Sequence, residues 1–109
     1  MFKITKNATF THTVTIPVPV DGGHDNQSMQ VTYRVLTDDQ IKEYDLNTTE
    51  GQKDFLRGAI VSLGDLIGAD EKPIRYNDTV RDSILALSYA RPSLLAGYSD
   101  AMVPALVKN

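Results

Sequence analysis

Alternating apolar and polar positions mark the first third of the chain. From Phe10 to Val20 the even positions are mostly apolar, whereas the odd positions are threonine or proline. A period of two is typical of a half-buried β-strand. A second alternating run, Met29 to Val35, follows an Asp21-Gly22-Gly23 turn signal and a loop that we expect to continue to Ser28. We therefore predict an antiparallel β-hairpin over about residues 9–36.

The first of these strands carries two features with consequences for its position. Pro17 and Pro19 have no backbone N–H to donate, so we expect this strand at a sheet edge, or leaving the sheet near Pro17. His12 falls on the apolar side of the alternation, and we interpret it as a half-buried strand residue rather than a metal ligand.

Helical signals dominate the remainder of the chain and predict helices at about residues 38–45, 50–63, 78–88 and 92–103. Capping-box patterns begin at Thr37 and Thr49, Asn77 is a typical N-cap, and Pro92 suits a first helical turn. Pro104 should end or kink the last helix. The second helix carries an apolar stripe formed by Phe55, Leu56, Ala59, Ile60 and Leu63.

The stretch between the second and third helices contains a turn-rich acidic loop, Gly68 to Pro73. Leu66-Ile67 and Ile74 to Tyr76 could pair across this loop as a very small second hairpin.

These elements predict a single α+β domain over residues 1–109, with an N-terminal antiparallel β-hairpin packed against three to four α-helices. Its 109 residues fit one domain with a modest core. An isolated hairpin is marginally stable, so its apolar face needs a cover. We expect the stripe of the second helix to cover the side of the hairpin formed by Val14, Ile16, Val31, Tyr33 and Val35.

Composition and charge narrow the function classes. The net charge is -3 and the 11 basic residues are scattered, so no nucleic-acid partner is expected. There is no cysteine, which excludes a disulfide framework and thiolate metal sites. No apolar run approaches the roughly 20 residues of a membrane helix, so we expect no membrane partner and a cytoplasmic protein.

Residues with catalytic or metal-binding chemistry are few. Asp21, His24 and Asp25 form the one local cluster with metal-ligand chemistry, but nothing fixes its geometry, and we interpret it as a solvated turn rather than a metal site. The acidic residues near Asp70 lack the alternating oxygen ligands of a calcium loop. No serine lies in a nucleophile elbow, and no glycine pattern forms a phosphate loop. We expect no enzymatic activity and no cofactor.

The last predicted helix is unusually apolar for so small a chain. Leu94, Leu95, Tyr98 and Met102 share its apolar face. They either complete the core over the hairpin or form part of an exposed surface that binds a partner. On the second alternative these four residues are the predicted partner-binding anchors.

The order of elements over residues 10–102 resembles the tail assembly chaperones of long-tailed bacteriophages. The segments that carry the resemblance are IPVPVDGG, RVLTDDQI, DFLRGAIVSLGDL, GADEKPIRYN, DSILALS and YARPSLLAGYSDAM. Leu63 stands where that family has tryptophan. The matching positions are Pro17, Asp21, Gly22, Leu36, Thr37, Asp38, Phe55, Leu56, Asp70, Pro73, Leu85, Pro92 and Tyr98.

The resemblance implies a non-enzymatic protein that binds the tape measure protein, keeps it soluble and assists tail assembly. It also implies a location in the cytoplasm of the infected bacterium and absence from the mature virion. The tail tube protein is a further expected partner, and a homo-oligomer is left open. The alternative is a minor structural protein of the tail or of the head-tail connector.

Overall fold

The N-terminal hairpin has longer paired strands and a tighter turn than the sequence pattern indicates. The computed structural model describes residues 1–103. Strand β1 (Thr9–Val20) pairs antiparallel with β2 (Gly23–Arg34) from Thr9↔Arg34 to Val20↔Gly23. Only Asp21 and Gly22 form the turn, and Gly22 adopts a φ of 78° that favours glycine. The predicted loop to Ser28 is wrong, because β1 offers residues 23–28 a complete set of pairing partners despite their low strand propensity.

The predicted helix over residues 50–63 is wrong over its last four residues, 60–63. Helix α2 (Thr49–Ala59) ends where β3 (Ile60–Gly64) begins, without an intervening loop. Strand β3 pairs antiparallel with β2 between Gln30↔Gly64 and Tyr33↔Ile60, which gives the sheet order β1-β2-β3. The β-branched pair Ile60-Val61 suits a strand, and the second edge of β2 supplies the hydrogen bonds that make one.

Four helices are present among residues 1–103: α1 (Asp38–Ile41), α2, α3 (Asp78–Leu85) and α4 (Arg91–Met102). The capping box at Thr37, the N-cap at Asn77 and Pro92 in the first turn of α4 are confirmed. The predicted helices over 38–45 and 78–88 extend too far. Beyond Ile41 and Leu85 the chain tightens into turns, with bonds such as Tyr44 N to Ile41 O and Leu87 N to Ile84 O. The predicted break at Pro104 lies outside the described residues.

The acidic loop closes as a very small hairpin. Ile67 forms an isolated antiparallel bridge with Pro73, and Ile74 N donates to Leu66 O over 2.9 Å. This confirms the suggested pairing across the loop, although the second strand begins at Pro73 rather than at Ile74.

One face of the sheet carries the core and the other faces solvent, as the α+β prediction requires. On the outer face, side chains pair across the strands: Thr11 Oγ1 with Thr32 Oγ1 at 2.9 Å, and Gln30 Nε2 donating to Thr13 Oγ1 at 2.8 Å. The buried residues of the sheet are Val14, Ile16, Met29, Val31, Tyr33, Ile60 and Leu63. Those of the helices and connections are Leu36, Phe55, Leu56, Ala59, Leu85, Ala90, Leu94 and Tyr98.

The distal half of the hairpin projects beyond the third strand. Since β3 pairs only with residues 30–33 of β2, residues 14–29 form a two-stranded ribbon, which we call the hairpin arm. Its outer positions Pro17 and Pro19 lie on β1, an edge strand, which confirms the edge prediction. The arm's inner face remains partly uncovered by α-helices, and this uncovered part defines the site described below.

Candidate functional site

The structure removes two of the four predicted anchors from the surface. Leu94 is fully buried, and Tyr98 is buried among Phe10, Tyr33 and Phe55, with ring centroids 5.3 to 5.9 Å away. The Tyr98 hydroxyl also accepts a hydrogen bond from Leu36 N at 3.0 Å. These two residues hold α4 on the core, so their predicted role as exposed partner-binding anchors is corrected.

The other two predicted anchors differ from each other. Leu95 is partly buried against the core, whereas Met102 is exposed near the end of α4. The four residues therefore do not form one continuous surface. The helical pattern could not separate them, because α4 is apolar on the side toward the sheet and also on the side toward α2.

An open groove of about 590 Å³ lies beneath the hairpin arm. Its walls are the inner face of the arm, the segment Asp65–Ile67 after β3, and the junction between α3 and α4. We call it the arm groove. Its lining is mainly apolar and is formed by Ile16, Val18, Met29, Leu66, Ile67, Ile84, Leu87, Tyr89 and Ala90, with Asp25, Gln27, Ser28 and Asp65 as its polar members.

Local backbone features position two walls of the arm groove. Asp65 adopts a φ of 60°, which turns the chain out of β3 and brings Leu66 and Ile67 beneath the arm. On the opposite wall, Arg91 Nη1 donates to Leu85 O at 3.0 Å and joins the end of α3 to the start of α4. Both walls are therefore held by contacts that do not depend on a ligand.

The arm groove combines exposed apolar side chains with negative charge. Ile67 is 64% exposed and Leu87 is 39% exposed, although both line a concave surface. Asp25 and Asp65 are among the lining residues, which include no lysine or arginine, and Asp25 Oδ2 accepts from Gln27 Nε2 at 3.0 Å. Such a surface suits an apolar segment flanked by positive charge. Sequence reasoning missed it because its residues come from four separate stretches of the chain.

A smaller depression of about 260 Å³ lies between β1 and α4. His12, Ser93 and Asp100 are among its polar lining residues. His12 is half-buried in β1, as predicted. The three side chains form no hydrogen bond with one another among the described residues, so this depression has no organised chemistry.

Of the residues considered for metal chemistry, Asp25 lies in the arm groove lining, whereas Asp21, His24 and Asp70 do not. Asp21 and His24 are exposed at the hairpin tip beside Asp25. Asp70 Oδ1 accepts from Lys72 N at 3.1 Å and so organises the acidic loop itself. Within residues 1–103, no group of three His, Cys, Asp or Glu side chains is arranged to hold a metal ion.

A polar cluster joins α2 to α3. Asp82 Oδ1 accepts from Arg81 Nε at 3.1 Å and from Arg57 Nε at 3.3 Å. The hydrogen bond from Arg81, followed by the one from Arg57, lowers the pKa of Asp82 below its ordinary value. The cluster is solvent-exposed at Asp82 and acts as a connection between helices.

Two further findings bear on function. In the part of the chain that the structure describes, no helix has the length and apolar character needed to cross a membrane. No protein-family model, curated protein or solved structure matches this chain.

Proposed function

We propose that this protein is a non-enzymatic tail assembly chaperone of a long-tailed phage, which binds apolar helical segments of the tape measure protein in the arm groove. The resemblance over residues 10–102 supplies the biological context. The observation that carries the proposal is the arm groove, a concave apolar surface with two carboxylates and no basic side chain in its lining.

The arm groove has the properties that reversible masking of a client requires. Apolar side chains such as Ile67 and Leu87 provide affinity without a covalent step, and an amphipathic helix can place several apolar residues in one groove. A groove of about 590 Å³ is within the range of pockets that bury a ligand substantially. The proposed client therefore binds through its apolar stripe, with lysine or arginine side chains near Asp25 and Asp65.

The proposed location is the cytoplasm of the infected bacterium, with the protein absent from the mature virion. The tail tube protein is the second proposed partner, since the client must be transferred to the growing tube. The alternative, a minor structural protein of the tail or connector, shares the fold but remains in the particle. Mass spectrometry of purified particles separates the two, because recovery at stoichiometric copy number would exclude the chaperone.

The direct test is co-expression with a long, helix-rich protein encoded beside this chain. Ile67→Asp combined with Leu87→Asp should weaken capture of that partner by at least about tenfold, since two carboxylates would enter an apolar contact. Val61→Asp is the matched control, because Val61 is 37% exposed on β3 and lies outside the groove lining. Equal capture by all variants would show that the arm groove does not bind the client.

Truncation before α4 would not be an informative test. Leu94 and Tyr98 belong to the core, so removal of α4 would unfold the domain whether or not it binds a partner. Substitutions at exposed groove residues avoid this ambiguity.

A further inference from the structure

The segment before β1 presents apolar side chains that nothing in the described chain covers. Phe2 is 91% exposed and Ile4 is 87% exposed, and Met1 is fully exposed beside them. We call residues 1–8 the N-terminal arm. Single exposed apolar residues are common, whereas contiguous exposed apolar patches mark interaction sites.

The N-terminal arm has the pattern of an unpaired strand with a positive charge. Phe2 and Ile4 alternate with Lys3 and Thr5, and Lys6 follows, whereas residues 1–8 contain no Asp or Glu. An extended chain with this alternation places Phe2 and Ile4 on one side. The segment can therefore offer Phe2 and Ile4 to a groove while Lys3 lies on the opposite side, and Lys6 lies in the turn before β1.

The arm groove is complementary to this segment in both respects. It exposes apolar side chains including Ile67 and Leu87, and its charged lining residues are Asp25 and Asp65. An apolar basic segment and an apolar acidic groove therefore occur in the same chain, each without a partner among residues 1–103. Opposite charges of this kind orient an association and increase its rate.

The N-terminal arm does not fill the groove of its own molecule. Phe2 and Ile4 are exposed, and neither of them lines the arm groove. The segment turns at Lys6 and Asn7, where Asn7 adopts a φ of 57°, directly before β1. The arm groove is therefore open to the N-terminal arm of another copy.

We propose that the N-terminal arm of a second copy occupies the arm groove, and that two copies exchange arms in a closed dimer. Reciprocal exchange fills both arm grooves and leaves neither N-terminal arm free, so assembly ends at two copies. Phe2 and Ile4 enter the apolar part of the groove, and Lys3 and Lys6 lie toward Asp25 and Asp65. This self-association does not rest on the proposed function, and a client that used the same groove would have to displace the arm.

Light scattering coupled to size exclusion tests the proposal on the full chain across a concentration series. The unsubstituted chain should form a dimer, and Phe2→Asp combined with Ile4→Asp should raise the dimer dissociation constant at least about tenfold. Ile67→Asp combined with Leu87→Asp should do the same from the groove side. Val61→Asp should leave the constant unchanged, because Val61 belongs to neither surface.

A mixing experiment separates arm exchange from a general loss of apolar surface. The Phe2→Asp/Ile4→Asp variant retains an intact groove, and the Ile67→Asp/Leu87→Asp variant retains an intact N-terminal arm. An equimolar mixture of the two should therefore form heterodimers through the one intact contact. Charge reversal gives a second test: Lys3→Glu with Lys6→Glu should weaken the dimer, and adding Asp25→Lys with Asp65→Lys should restore it. Circular dichroism of each variant establishes that the fold is retained.

The proposal is overturned if the unsubstituted chain stays monomeric up to roughly 1 mM, or if the arm variant dimerises as well as the unsubstituted chain. It is also overturned if the charge-reversed pairs fail to rescue each other. If the unsubstituted chain dimerises as predicted but captures no client, the proposed function alone is contradicted, so the two failures can be distinguished.

Discussion

Tyr33 Oη on β2 donates a hydrogen bond of 2.7 Å to the backbone carbonyl of Leu94 on α4, across 61 positions of sequence. Both residues are fully buried. The bond fixes the position of the last helix over the sheet, because a buried hydroxyl that lost its acceptor would be left without a partner.

Tyr33→Phe should lower the free energy of unfolding by about 1 kcal/mol, since it removes one buried hydrogen bond while keeping the ring. Urea denaturation at pH 7 measures the change. Tyr89→Phe is the control for loss of a hydroxyl, because Tyr89 is only partly buried and its hydroxyl forms no hydrogen bond among the described residues. A Tyr33→Phe variant as stable as the parent would show that the bond contributes nothing net.

Tyr33 should also make the free energy of unfolding decrease at alkaline pH. Burial raises the pKa of Tyr33 well above its ordinary value of 10.0. The folded state thus holds this proton more tightly than the unfolded state, so its contribution to stability is complete below pH 10 and declines as the pH rises further. Melting curves between about pH 8 and 11 should show a decline that is smaller in Tyr33→Phe.

Gly97 allows α4 to approach β1 closely. A Cβ at this position would lie 2.7 Å from Val14 Cγ2 and 2.8 Å from Tyr33 Oη, both of them buried side chains. Gly97→Ala should therefore destabilise the fold by about 1–3 kcal/mol, despite the better helix propensity of alanine.

Gly64→Ala is the matched control for that substitution. A Cβ there would meet Gln30 Cβ at 3.6 Å, which is ordinary van der Waals contact. Denaturation of the two variants should separate them clearly. A Gly97→Ala variant that matched Gly64→Ala in stability would mean that α4 can move away from β1 at little cost.

Asp82 should make stability depend on acid pH. Because hydrogen bonds from Arg81 and Arg57 lower its pKa, the folded state binds this proton less tightly than the unfolded state. The stabilisation is therefore present above the ordinary pKa of 3.8 and is lost as the pH falls through the lower folded value. Asp82→Asn should reduce Tm slightly at pH 7, and its difference from the parent should disappear in acid.

Circular dichroism melts from neutral to acid pH check this expectation. Asp100→Asn is the control, because Asp100 forms no ion pair within residues 1–103. The effect should be small since the Asp82 carboxylate is exposed to solvent. A constant Tm difference between Asp82→Asn and the parent at every pH would contradict the assigned role.

Pro17 and Pro19 protect the outer edge of the sheet. Val35 N donates to Ala8 O at 2.9 Å, and the register pairs Phe10 with Tyr33, so even-numbered β1 residues bond to β2. The N–H groups of odd-numbered residues consequently point to the open edge, where these two prolines have none.

Replacing both prolines with threonine should promote edge-to-edge association, because it adds two donors to the open edge. Light scattering and thioflavin T fluorescence over time measure the effect. Val18→Thr is the control, since the Val18 N–H is directed to β2. Association equal in both variants would show that the donors are not what the prolines suppress.

The sequence predicts the hairpin, the N-caps Thr37 and Asn77 and the α+β class because short-range chemistry determines them. The cap predicted at Thr49 is wrong by one residue, since Thr48 accepts from Gly51 N at the start of α2. Alternation places Val14 and Val31 on the covered face, and Asn77 can accept from Val80 N at 2.8 Å wherever the helix lies. The strand at Ile60 could not be predicted in the same way. Phe55, Leu56, Ala59, Ile60 and Leu63 fit a helical stripe equally well, and only the free edge of β2 selects a strand after Ala59.

The candidate site could not be predicted from the sequence for a related reason. Leu94 and Tyr98 resemble surface anchors in a helical pattern, and their burial becomes evident only with β1, β2 and α2 in place. The arm groove has no local sequence signal at all. Residues as distant as Val18, Ile67 and Leu87 meet there because of tertiary packing.

The hairpin arm also gives the molecule an internal reporter. Its backbone hydrogen bonds belong to a two-stranded ribbon, whereas residues 30–33 are bonded on both sides, by β1 and by β3. Amide hydrogen exchange should therefore be fast in the hairpin arm and slow in the centre of β2. A molecule that fills the arm groove should slow amide exchange in the hairpin arm. Occupancy of the groove can therefore be followed residue by residue without attaching a label to the chain.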